Sequence, residues 1–242
     1  MNDSIKSYAT ADLLMLLTSA IAGKQSEDQN PSHDELQELV RYAQLPDDVI
    51  GPMQEALRAF HEAPANELHL ERGRLYSAAQ ACPPYEAAYV RRDKGALLAD
   101  IAGFYHAFSL HLDDHVHERP DHVVMELEFL TLAFVMLGNA QKDNNADAQA
   151  VCWRAIALFA NEHLGEWIES FATVLSAAST DDVHPLIANA LGVFWEALRA
   201  RECWSKPSCP GLGPDLQNKE EHDSQWDCVG AQENICQKES KS

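Results

Sequence analysis

The sequence predicts a single all-α domain of about nine to ten helices, followed by a tail of a different kind. Three observations carry that expectation. Apolar residues recur at three- and four-residue spacing in segment after segment from Ile5 to Leu198. Short polar, Pro- or Gly-containing breaks separate those segments. Sustained apolar–polar alternation is missing throughout, and so is an Asn-Gly hairpin signal. No repeat of fixed period appears, which argues against a solenoid.

Residues 4–22 carry Ile5, Tyr8, Leu13, Leu14, Leu16, Leu17 and Ile21, a wide apolar face ended by Gly23. After a polar loop, Ser32 and Glu35 have the spacing of a capping box, with Leu36, Leu39, Val40 and Tyr42 behind them. Pro46 starts a helix through Ile50, Met53, Leu57 and Phe60. Glu67 to Ala81 reads as a fourth, stopped by Pro83-Pro84. A short connector, Tyr85 to Arg92, precedes a helix from about Lys94 to Leu112. The His-rich loop from His111 to His117 leads to Glu118-Arg-Pro-Asp-His122, where Pro120 suits the first position of a helix running to about Leu137 and ended by Gly138. The next helix spans Ala148 to His163, Gly165 interrupts or bends it, and Trp167, Ile168, Phe171, Val174 and Leu175 continue its face. A turn at Ser179–Asp182 opens the last helix, which carries Leu186, Ile187, Leu191, Phe194, Trp195 and Leu198. The domain expectation is therefore a helical body over 1–202 and a flexible, cysteine-containing tail over 203–242, rich in Pro, Gly, Asn, Gln, Lys and Glu.

The charge narrows the function. A net charge of -20 on 242 residues leaves little to neutralise phosphates, so nucleic-acid binding is not expected and a partner should be basic. No apolar run reaches ~18 residues, so neither a transmembrane helix nor stable membrane insertion is expected. The N-terminus lacks a basic n-region before an apolar core, which points to the cytoplasm. There Cys82 and Cys152 read as buried small hydrophobes, and Cys203, Cys209, Cys228 and Cys236 as thiols or metal ligands rather than disulfides.

Asp121 and His122 stand where a loop enters a helix, beside unpaired backbone N–H groups, and a histidine there can change charge near neutral pH. The ordinary alternative is simple helix capping. The five histidines and three aspartates within 106–122 fit no structural zinc spacing, so a solvated loop is the plainer reading. The tail pairs Cys203-x5-Cys209 and Cys228-x7-Cys236 are looser than the C-x2-C of a strong site. They leave open a metal- or Fe–S-binding protein in electron transfer or sensing, against an inert tail. Neither G-x-S-x-G nor a glycine-rich phosphate loop occurs. An enzyme, nucleotide hydrolases included, therefore has nothing to rest on, and no cofactor is expected.

Leu98-Ala-Asp-Ile-Ala-Gly-Phe-Tyr-His-Ala-Phe108, Glu118-Arg-Pro-Asp-His122 and Glu126-Leu-Glu-Phe129 follow one another in that order. Pro83-Pro84-Tyr85-Glu86 lies upstream, and His163-Leu164 with Trp167 downstream. Over roughly residues 10–200 this arrangement resembles the TorD/DmsD/NarJ family, cytoplasmic maturation chaperones of molybdenum oxidoreductases. The resemblance implies a single helical domain able to domain-swap, hence a monomer or homodimer. It implies binding of the apo catalytic subunit of a molybdopterin oxidoreductase, or of its twin-arginine signal peptide, until the cofactor is inserted. By position it implies a client-binding surface that includes Pro84, Tyr85, Glu118, Pro120, Asp121, His122, Glu126, His163 and Trp167. Asp121, with Glu118 or Glu126, would accept hydrogen bonds from arginine. Tyr85, Tyr105, Phe108 and Trp167 would line a groove for an apolar stretch, against which Phe104, Phe108 and Phe129 read more simply as core. The cysteine tail lies outside the family's pattern, and the loop 111–117 is richer in His than the resemblance leads one to expect.

Overall fold

The computed structural model describes residues 3–26, 30–76, 81–110 and 119–207. Among them are nine α-helices: α1 (Asp3–Ala22), α2 (His33–Tyr42), α3 (Ile50–Glu62), α4 (Ala65–Tyr76), α5 (Lys94–Ala107), α6 (Val123–Lys142), α7 (Ala146–Phe159), α8 (Gly165–Ala178) and α9 (Val183–Glu202). The all-α class expected from the spacing is the one the chain adopts. Among the described residues the sole extended pairing is an isolated bridge between Tyr85 and His122.

The centre of the fold is α1 lying along α6, with α2 and α9 also against α1. Apolar and small residues surround α1, so it buries nearly every face. Its hydroxyls are satisfied locally or across the interface: Thr18 Oγ1 donates to the Leu14 carbonyl at 2.7 Å, and Ser7 Oγ to Gln141 Oε1 at 2.8 Å. Both α1 and α6 are long and apolar enough to cross a bilayer by length and composition, contrary to the reading of the runs above; here each packs in the core. On the far side α9 packs between α3 and α8.

Helix α5 ends at Ala107, short of the expected Leu112, and two further boundaries differ from expectation for steric reasons. Gly138 does not end α6, which continues to Lys142; a Cβ at Gly138 would lie 2.6 Å from the Tyr8 ring. The glycine lets α1 and α6 approach closely. At Gly165 the chain neither breaks nor simply bends. Residues Ala160–Leu164 form a π-helical turn between α7 and α8, and a Cβ at Gly165 would sit 2.0 Å from the Ala160 carbonyl oxygen. The Ser32–Glu35 capping box forms as its spacing predicts. The body extends slightly past the expected boundary: Cys203 caps α9 in the left-handed region at φ 57°, and Trp204 stacks on Trp195 with ring centroids 5.6 Å apart. Cys82 and Cys152 are buried thiols as expected and Cys203 is exposed, whereas Cys209, Cys228 and Cys236 lie outside the described residues.

Candidate functional site

The connector 84–88 and the loop 119–123 are stitched edge to edge. Glu86 N–H donates to the Asp121 carbonyl at 2.9 Å, and Val123 N–H to the Pro84 carbonyl at 2.8 Å. Tyr105 Oη donates to the Pro120 carbonyl at 2.8 Å and holds the loop from α5. Helix α6 starts at Val123, later than expected, and Pro120 and Asp121 occupy the turn before it. His122 is the N-cap: its Nδ1 accepts the Val124 N–H at 3.1 Å. That role requires a lone pair on Nδ1, so the ring is neutral. Burial, then Arg72 and Arg119, push the imidazole down to about 4, so His122 does not change charge near neutral pH as its type suggested.

At the outer edge of this clamp Asp121 is fully buried. Its Oδ2 accepts Arg119 Nη2 at 2.6 Å and the Ala87 N–H at 3.2 Å. The Arg119 guanidinium lies 4.3 Å from the centroid of the Tyr85 ring, which meets the His122 ring edge-on.

Beneath the clamp lies a second layer. Trp167 Nε1 donates to Glu126 Oε2 at 3.0 Å, and His163 Nδ1 lies 3.3 Å from Glu86 Oε2. His163 comes from the π-helical turn, which aims it inward, and all four side chains are fully buried. The other His163 nitrogen, Nε2, is 3.3 Å from Asp100 Oδ2, an ion-pair distance without hydrogen-bond alignment. The remaining oxygens, Glu86 Oε1 and Glu126 Oε1, have no donor as carboxylates. Burial raises both acids, Glu126 well above the usual carboxylate range, and each acts on the other. One proton resolves both facts. Kept on one of the two acids, which act on each other through a side-chain hydrogen bond, it supplies a donor that the carboxylates lack, while Trp167 serves Glu126 Oε2 and His163 serves Glu86 Oε2.

This sharing has a pH signature. The folded pair keeps a proton that the unfolded chain releases near 4.5, so its contribution to stability falls as pH rises above that value. His122 acts oppositely: its contribution, about 3 kcal/mol, is present above its unfolded value and lost as pH falls through about 4. Glu126→Gln imitates the protonated acid. Urea titrations from about pH 5 to about pH 8 should show E126Q gaining stability relative to the wild type as pH rises.

The nine positions singled out in the sequence thus separate by depth. Tyr85 and Pro120 are half-buried, and Pro84, Asp121 and His122 are buried within the clamp. Glu126, His163 and Trp167 form its floor, and Glu118 lies outside the described residues, as does the loop 111–117. Trp167 and Tyr105 face the core and Phe129 packs there against Phe104 and Phe108. None of these lines two grooves among the described residues: one of about 780 Å³ between α8 and α9 over Ala172, Thr173, Gly192 and Val193, and one of about 600 Å³ between α1 and α2 over Met15, Leu16, Leu39 and Tyr42. Among the described residues no three His, Cys, Asp or Glu side chains are grouped to hold a metal ion. Sequence reasoning missed Glu86 and Arg119 as members of the site. A carboxylate inside Pro-Pro-Tyr-Glu-Ala-Ala-Tyr-Val, among residues that bury, was the available signal for Glu86.

Residues 24–173 match the family described as nitrate reductase delta subunit. Over 108 residues the chain is 34% identical to a selenate reductase assembly chaperone protein of Thauera selenatis, covering 45% of this chain and 54% of that one. Over 110 residues it is 32% identical to a chlorate reductase assembly chaperone protein of Ideonella dechloratans, covering 46% and 55%. The chain spans about half the length of the curated relatives it matches.

Proposed function

The chain belongs to the nitrate reductase delta subunit family, the NarJ/TorD-type group that its motifs resemble, and on that premise we propose that it is an assembly chaperone for the catalytic subunit of a molybdopterin oxidoreductase. It binds the apo subunit, its twin-arginine signal peptide, or both, in the cytoplasm before cofactor insertion and export. It performs no turnover of its own. Its similarity to selenate and chlorate reductase assembly chaperones supports the chaperone part of this reading. The observation that carries the client part is the Asp121–Tyr85 clamp, which holds a guanidinium between a buried carboxylate and an aromatic face. A site that accommodates one arginine in this way has the chemistry to receive another. The surplus of negative charge adds attraction for a basic peptide.

Calorimetry with a twin-arginine signal peptide from a reductase catalytic subunit tests this. A dissociation constant of about 1 μM or tighter is expected, lost when the arginine pair becomes a lysine pair. Lysine cannot present the planar fork or stack in the same manner. Equal binding of both peptides, or of neither, would overturn the client assignment.

A further inference from the structure

Asp121 and Arg119 do not satisfy each other. The hydrogen bonds that the carboxylate accepts from Arg119 Nη2 and from the Ala87 N–H both fall on Oδ2. Oδ1 is buried without a hydrogen-bond partner, and so is Arg119 Nε. A fork of five donors therefore meets a two-oxygen acceptor through one oxygen, short of the bidentate arrangement that makes such pairs strong. The two side chains also differ in access. That of Arg119 is 19% exposed and that of Asp121 is closed off entirely. One face of the guanidinium is covered by Tyr85.

We propose that Asp121 and the Tyr85 ring form a guanidinium-exchange site, and that Arg119 is its resident occupant, displaced when an arginine of the partner peptide enters. This rests on the client reading above and adds a selectivity device to it. A tethered arginine competes at an effective concentration on the order of millimolar, so a free arginine cannot displace it. A peptide held at further points can. Lys94 feels the positive charge of Arg119 as well as the negative charge of Asp121, and Arg72 acts on His122, so further cations already stand near the clamp. A second cation is therefore unwelcome beside the first, and entry requires Arg119 to leave. Exchange of one guanidinium for another leaves the buried charge of Asp121 compensated at both ends of the process.

The test has one arm without a client and one with it. In the first, full-length Arg119→Ala is melted with increasing ethylguanidinium chloride, with ethylammonium chloride at equal ionic strength as control. Arg119→Gln takes its place if the alanine variant does not fold. The proposal expects a lower midpoint than wild type, raised in a dose-dependent way by ethylguanidinium alone. It expects no such rise in the wild type or after a second change, Asp121→Asn. A folded variant that ethylguanidinium does not raise, or raises equally with Asn at position 121, overturns the site. In the second arm, Arg119→Gln should bind the twin-arginine peptide about tenfold or more tightly than wild type. Unchanged or weaker binding overturns the role of Arg119 as competitor. Specific restoration by ethylguanidinium with no peptide binding by any variant upholds the site and counts against the client reading instead.

Discussion

Trp167→Ala is expected to lower the stability of the protein by about 4 kcal/mol. Trp167 is fully buried, with the Tyr89 and Phe171 rings 5.3 and 5.6 Å away. Truncation removes that packing, and the surrounding helices α6 and α8 can close only part of the cavity. It also leaves Glu126 Oε2 without its donor, a further loss of about 1–3 kcal/mol if water cannot enter. Trp167→Phe separates the two contributions, because it keeps most of the volume and loses only the indole N–H. Chemical denaturation should place W167F between the wild type and W167A. In the E126Q background the hydrogen-bond part should change while the packing part should not. Equal losses for W167F and W167A would contradict the role given to the packing of this side chain.

The second large effect is expected at Asp121. Asp121→Asn should cost about 3 kcal/mol, because it removes the charge opposite Arg119 while the guanidinium remains largely enclosed. The same change weakens the tie to Ala87 N–H, which keeps the connector against the loop. Pairing D121N with Arg119→Gln should cost less than the sum of the two single changes, since the second no longer leaves an unpaired charge behind. Strict additivity in urea unfolding would mean that the ion pair is not the interaction that matters. Since helix α6 begins one residue after His122, loosening of this loop should also be visible as faster hydrogen exchange at Val123 and Val124.

Much of the fold could be read from residue spacing because the helices here bury apolar stripes in a regular way. The Ser32–Glu35 box depends on local chemistry, and so does the 3-10 turn Asp47–Val49 that Pro46 opens just ahead of α3; local chemistry is visible in sequence. Gly138 and Gly165 were misjudged for the opposite reason. Each is a glycine because of what lies against it in space, the Tyr8 ring in one case and the Ala160 carbonyl in the other. Nothing in a one-dimensional window distinguishes a glycine that ends a helix from one that admits a neighbour. The site shows the same division. The motif around Pro120–His122 stood out, but its acidic and imidazole groups were assigned by residue type, as though exposed. His122 caps α6 as a neutral ring, and Glu126 points inward to Trp167 and Glu86. Arg119 carries no sequence signal of its own, because its pairing with Asp121 against the Tyr85 ring is set by the fold of the loop.

The central claim is that this chain holds a reductase catalytic subunit before its cofactor arrives. Native mass spectrometry of the full-length protein, co-expressed with such a subunit with and without cofactor synthesis, addresses it directly. The account predicts a stoichiometric complex with the cofactor-free subunit that is absent once the cofactor is loaded. A complex that persists unchanged with the loaded subunit, or no complex with either form, would contradict it.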